Sequence, residues 1–230
     1  MIQAVVTDIE GTTTSIHFVT DVLFPYARER MGDFLQQHST EPPVRQCLDE
    51  VVNLTGIDDD LATITRQLIE WIDTDQKITP LKSLQGMIWD AGYRNGDFTG
   101  HIYPDVPAQL AAWHRDGIKL YVYSSGSVQA QKLLFGFSDA GDLSVLFTDF
   151  FDTRIGNKRE VAAYDNIIQH TALPADNILF LSDIEEELDA AAVAGMKTTQ
   201  LCREQTVKGE RHHAVSNFNE IRLKNNVVDD

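Results

Sequence analysis

The sequence predicts an α/β protein: a parallel, Rossmann-like sheet flanked by helices, with a helical cap inserted after the first strand. Three observations predict it. Short apolar runs recur at Ile2–Thr7, Ile118–Tyr123 and Asn177–Leu181, the pattern of strands buried on both faces. The later runs alternate with stretches of helical period, which implies right-handed crossovers and a parallel sheet. Between the first and second runs the apolar period is helical throughout.

Taken in order, Ile2–Thr7 ends in Asp8-Ile9-Glu10-Gly11-Thr12-Thr13-Thr14-Ser15, a mixture of acids, glycine and hydroxyls that no strand continues through. From about Val19 to Gly92, Pro42-Pro43, the Gly56–Asp60 stretch and Thr79-Pro80 divide the helical pattern into about four helices. Pro80 falls in a first turn, where its missing N–H costs nothing. The glycine-rich stretch Gly92–Gly100 reads as a return hinge. There follow a helix over Pro107–Asp116, the strand Ile118–Tyr123, a helix over Gln129–Phe135 and a weaker strand over Phe147–Asp152. A helix over Lys158–Thr171, the strand at Asn177–Leu181, a helix over Glu185–Ala194 and a strand over Lys197–Leu201 complete the pattern. The polar tail from Arg203 has room for one short strand or helix, and His212-His213 in it reads as surface. Residues 1–17 and 101–230 are expected to form the Rossmann-like core, and residues 18–100 the helical cap. Trp71, Trp89 and Trp113 fall at helical spacing and read as core anchors.

Nineteen lysines and arginines against 35 aspartates and glutamates give a net charge of −16. That balance argues against a broad nucleic-acid or anionic-membrane surface, since both partners are polyanions. Cys47 and Cys202 stand far apart, which excludes a disulfide framework and a cysteine-based zinc site; two free buried thiols are expected. No basic and apolar leader pattern opens the chain, and no apolar run is long enough to span a bilayer, so a cytoplasmic location is expected. A monomer is expected too, because no extended apolar stripe is left without a helix to cover it.

Three strand ends are polar: Asp8 with Glu10, Ser124 with Ser125, and Ser182 with Asp183. Ligands of open α/β sheets bind at the carboxyl ends of strands, so these segments converge on one crevice. One polar strand end is commonplace, since Asp and Ser cap the next helix; three together favour a site. Carboxylates brought together repel unless a cation joins them. Asp8, Glu10 and Asp183 offer hard oxygens, the donor set for Mg²⁺, and a bound Mg²⁺ reverses the local field and admits an anionic substrate.

These residues also carry a resemblance. Asp8-Ile9-Glu10-Gly11-Thr12, Ser124, Lys158 in Gly156-Asn157-Lys158-Arg159-Glu160, and Ser182-Asp183 before Ile184-Glu185-Glu186-Glu187 resemble, in order and spacing, the four motifs of the haloacid dehalogenase superfamily. Leu23-Phe24-Pro25-Tyr26, Leu84-Gln85-Gly86, Tyr103-Pro104-Asp105-Val106 and the stretch from Tyr121 to Gly136 look like the enolase-phosphatases of methionine salvage, over roughly residues 1–202. Glu10 departs from the superfamily's usual second aspartate, as is typical of that branch. The resemblance implies that Asp8 is the nucleophile, that Glu10 is the acid and base, and that Ser124 and Ser125 bind phosphoryl oxygens. It further implies that Lys158 sits on phosphate and Asp8, with Arg159 its competitor. Asp8, Glu10 and Asp183 would ligate Mg²⁺, and Glu187 would hold a metal water or Lys158. Glu185 and Glu186 read as a solvated face. His17 and His101 are better read as structural than as proton carriers.

The same resemblance implies a substrate, 2,3-diketo-5-methylthiopentyl 1-phosphate, which is enolised and then dephosphorylated to an acireductone. The cap would close over the methylthio tail, hinged at Gly92–Gly100 and after Thr14. Composition and spacing by themselves reach only a Mg²⁺-dependent phosphate site. A small-molecule phosphatase without the enolisation, a metal-free dehalogenase using the same aspartate, and a catalytically silent binding module remain open at this point.

Overall fold

The computed structural model describes residues 1–203 and 206–223. The chain divides into two compact units, one of Met1–Ile16 with Gly100 to the end, the other His17–Thr99.

The first unit is built on six strands: β1 (Ala4–Thr7), β2 (Lys119–Tyr123), β3 (Asp149–Phe151), β4 (Ile178–Ser182), β5 (Lys197–Leu201) and β6 (His213–Val215). They lie in the order β3-β2-β1-β4-β5-β6, and every pairing is parallel. β1 is central and fully buried because Ala-Val-Val-Thr presents apolar groups to both faces. On one face Val6, Tyr121, Tyr123 and Phe180 pack with Ala163, Tyr164 and Ile167 of α8 (Val161–Thr171) and with Leu188 and Ala191 of α9 (Glu185–Val193). Burying one such side chain as fully as Phe180 stabilises the fold by about 2 kcal/mol. α6 (Val106–Arg115) packs on β2, with Trp113 against Phe218 at 5.6 Å between ring centres. α7 (Val128–Gly136) starts where the Ser127 hydroxyl accepts the Ala130 N–H as an N-cap.

The second unit is all-helical. After a short turn, α1 (Ile16–Phe18), and a wide π-type turn over Val19–Leu23 come α2 (Phe24–His38), α3 (Pro42–Thr55), α4 (Leu61–Asp73) and α5 (Thr79–Asn95). Prolines open α3 and α5, Asp60 caps α4 through the Thr63 N–H, and Gly56 and Gly96 close α3 and α5 in the left-handed region. Ala27, Met31 and Leu35 of α2 are fully buried, as are Leu48 and Val51 of α3 and Leu68 of α4.

Several boundaries differ from expectation for identifiable reasons. Gly92 is not hinge material: it lies inside α5, and a Cβ there would strike the rings of Phe98 and Tyr26. It is glycine for close packing. Lys158 precedes α8, which begins only at Val161. The tail supplies β6 and a tight turn at Phe218–Glu220, while the part of it beyond residue 223 lies outside the described residues. The His212 side chain is only 6% exposed, since it bonds both Thr198 Oγ1 and Asp189. Trp89 and Trp113 are buried, but Trp71 is half-buried. Both cysteines are free, Cys47 buried and Cys202 half-buried. Among the described residues no helix is long and apolar enough to cross a membrane.

Candidate active site

The site forms where β1, β2 and β4 end. Thr7 pairs with Val122 on one side and Leu181 on the other, so Asp8 stands level with Tyr123 and Ser182, and Ser124 and Asp183 follow directly. The Asp8 N–H donates to Leu181 O at 2.8 Å, and Asp8 O accepts the hydroxyls of Thr7 and Thr13. The loop then winds on itself: Ile9 O accepts the N–H groups of Thr12, Thr13 and Thr14. Gly11 turns it at φ 69°, a conformation L side chains avoid, and a Cβ there would run into the Asp183 carboxylate.

Lys158 is the centre of charge. Its Nζ lies 2.6 Å from Asp8 Oδ1 and 2.6 Å from Glu187 Oε2, with the lysine side chain only 10% exposed. Burial works against its charge, but Asp8 and Glu187 outweigh burial and hold its pKa above the usual lysine value. Ser182 Oγ donates to Glu187 Oε2 at 2.9 Å. Two buried tyrosines fix the loop that carries the lysine. Tyr164 donates to Lys158 O at 2.7 Å and Tyr123 to Gly156 O at 2.9 Å.

The structure thus brings Asp8, Lys158, Glu187 and Asp183 together. Three acids share one ammonium, and the remaining negative charge is visible in the carboxyls. Burial first, then Asp8, pushes Asp183 up to about 7, and the same causes raise Glu187 although Lys158 opposes them. Lys158 favours the ionised form of Glu187, and Glu187 favours the charged form of Lys158. Asp8 and Asp183 therefore form a carboxylate pair in want of a cation. This fits Mg²⁺, which takes one or two protein carboxylates and leaves the rest of its shell to water and phosphate. A ready-made cluster is absent: among the described residues no three His, Cys, Asp or Glu side chains are set as a metal group. One oxygen of Asp8 is committed to Lys158, and the fit rests on the pair of Asp8 and Asp183.

Glu10 is half-buried, and its backbone bridges to Thr14. Ser124 is buried, its hydroxyl accepting the Gly126 N–H at 3.2 Å, and Ser125 beside it is half-buried. Arg159 is exposed, so Lys158 and not its neighbour reaches Asp8. His101 Nδ1 meets Ser15 N at 3.2 Å and Thr14 Oγ1 at 3.0 Å, a structural tie. His17 pairs with Asp21 at 3.5 Å. Glu186 is exposed, whereas Glu185 is half-buried and joins Arg211. Sequence reasoning missed the two tyrosine hydroxyls, since a Tyr at an apolar position reads simply as core. It also missed Arg203, whose guanidinium reaches back to Thr12 O.

A family profile described as haloacid dehalogenase-like hydrolase matches residues 2–195. The chain belongs to that family, and it is a hydrolase of the phosphatase kind. Within it, the chain is 56% identical over 224 residues to Enolase-phosphatase E1 of Pectobacterium carotovorum, covering 97% of this chain and 98% of that one. It is 53% identical to the protein of the same name from Methylococcus capsulatus, covering 96% and 98%. The solved structure of the UTR4 protein from Saccharomyces cerevisiae superposes with a TM-score of 0.82 at 32% identity, over 96% of this chain and 100% of that one. It is therefore a member of the enolase-phosphatase group.

Proposed function

We propose that this protein enolises and then dephosphorylates 2,3-diketo-5-methylthiopentyl 1-phosphate in a Mg²⁺-dependent reaction, releasing an acireductone. The observation that carries the phosphoryl step is the buried Lys158 ammonium 2.6 Å from both Asp8 and Glu187 at the carboxyl end of the central strand. That arrangement holds the Asp8 carboxyl aimed while an anionic phosphate approaches. Asp8 and Asp183 would hold the cation, with Glu10 joining them. The bound cation supplies charge neutralisation for the phosphate and polarises the substrate's oxygens.

The residues divide the work. Glu10 takes the proton from C1, leaving the enolate. Asp8 Oδ then bonds to phosphorus as the bond from phosphorus to the C1 oxygen breaks, and Glu10 hands its proton to that oxygen. The aspartyl-phosphate splits one hard hydrolysis into two displacements. Water attacks phosphorus next, giving its proton to Glu10 and restoring Asp8. That proton passes to the enolate oxygen as phosphate and acireductone leave. Lys158 offsets the charge that moves between Asp8 and the phosphoryl oxygens. Ser124 and Ser125 stand at the adjacent strand end, where both hydroxyls and the Ser125 N–H serve those oxygens, the Ser124 N–H being held by Phe151 O at 3.1 Å. We also read residues 18–100 as the cap, and the protein as a cytoplasmic monomer.

The diketone phosphate tests this directly. The absorbance of the enolate should rise before phosphate is released, and Asp8→Asn should release none. Phosphate release with no preceding enol signal would leave only a plain phosphatase.

A further inference from the structure

Arg203 follows β5, far along the chain from the nucleophile loop, yet it is built into that loop. Its Nε and Nη2 both donate to Thr12 O, at 3.2 and 3.0 Å. Nη1 and Nη2 fork onto the two Asp105 carboxylate oxygens at 3.0 and 2.9 Å, and Nη1 also donates to Ser216 O at 3.2 Å. Every N–H of the guanidinium is thereby committed, which removes Arg203 as a phosphate binder. The side chain is 8% exposed and lies over the Tyr103 ring, 4.2 Å from its centre. Asp105 Oδ2 accepts the Phe218 N–H at 2.7 Å. Burial acts to raise the Asp105 carboxyl, but Arg203 and the Phe218 N–H hold it below its usual value.

Thr12 is fully buried, and its hydroxyl has no hydrogen-bond partner. Its hydroxyl therefore fixes nothing. Its N–H turns inward to Ile9 O, so its carbonyl is the group by which Thr12 is held from outside, ahead of Thr13 O, which accepts the Tyr103 N–H at 3.0 Å. Between that anchor and the strand lie Asp8 and Glu10.

We propose that Arg203 is a positioning residue for phosphate-ester hydrolysis, clamping Thr12 so that the preceding loop holds its two carboxylates in reacting geometry. Arg203 and the Phe218 N–H are then both locked on Asp105. This rests on the phosphatase reading given above. A bidentate clamp is not replaceable by a lysine, which keeps the charge for Asp105 but has no planar fork.

The test compares full-length wild type, Arg203→Lys and Ile167→Val, all loaded with Mg²⁺. Ile167 is fully buried in α8 and makes no contact of this clamp, so it controls for lost stability. Arg203→Lys should lower kcat about tenfold or more with KM within about threefold, as a small misplacement of reacting groups does. Amide exchange at Gly11–Thr14, read by mass spectrometry, should quicken by about the same factor. Ile167→Val should keep kcat and the loop's exchange. Should Arg203→Lys fail to fold, Asp105→Asn loosens the same fork and should show the same split more weakly. Wild-type kcat in the clamp variants, unchanged loop exchange, or an equal kcat loss in Ile167→Val would overturn the proposal. A wild type that hydrolyses no phosphate ester would instead defeat the phosphatase reading, and the exchange data would still report on the clamp.

Discussion

Lys158→Met isolates the electrostatic core of the site. The wild-type ammonium lies 2.6 Å from two carboxylates and is almost wholly buried. Removing one partner of a buried ion pair costs about 4 kcal/mol, because the charges left behind are unpaired. In a chain of this size that lowers Tm by about 12 °C. The loss should depend on pH, and the direction follows from linkage. Without the ammonium, Glu187, already raised by burial and by Asp8, has its folded pKa raised further above its unfolded one. Such groups favour the fold where they are protonated, and that contribution disappears as pH rises through the folded pKa. The cost of Lys158→Met should therefore be greatest near pH 8 and about half as large near pH 5. Urea unfolding in a chelator at both pH values measures it. Adding Glu187→Gln to Lys158→Met should recover part of the stability at pH 8, since one stranded charge is then gone. Equal destabilisation at pH 5 and pH 8, or no recovery in the double variant, would refute the view that Lys158 favours the ionised form of Glu187.

Other outcomes follow from neighbouring groups. Asp183 is pushed up to about 7, so the metal-free protein should lose stability as pH rises from about 4 to 7, the window between its unfolded and folded values. Mg²⁺ should raise Tm most at pH 8, and much less in Asp183→Asn, as thermal melts would report. Gly11→Ala combines an unfavourable φ of 69° with a clash against the Asp183 carboxylate, so it should abolish turnover and lower Tm, read by phosphate release and calorimetry. Tyr164→Phe leaves Lys158 O without its buried donor and should lower kcat about tenfold with little change in KM.

The alternation of strands and helices was legible because both periods are written in apolar residues, and β1, β2, β4 and β5 fall where those runs are. Asp8 and Asp183 were legible because buried parallel strands have no structural need for acids at their tips. The start of α8 was not: Lys158 looks like a helix residue by composition, and it is three residues short of the helix because the Gly156–Lys158 loop is held instead by two tyrosine hydroxyls. Those hydroxyls left no mark on the apolar pattern. Gly92 misled in the opposite sense, its lack of a side chain signalling close packing rather than a bend. Arg203 could not be placed, since its partners Thr12 and Asp105 are distant in sequence and nothing in the tail repeats a period.

The central claim is that Asp8 becomes phosphorylated during turnover. Mixing the Mg²⁺-loaded protein with its phosphate ester, quenching in acid within the first turnover and weighing the peptides should reveal one phosphoryl group on the peptide that contains Asp8. That mass should vanish after longer incubation and never form in Asp8→Asn. Steady phosphate release with no phosphorylated Asp8 at any quench time, or undiminished release by Asp8→Asn, would contradict the account.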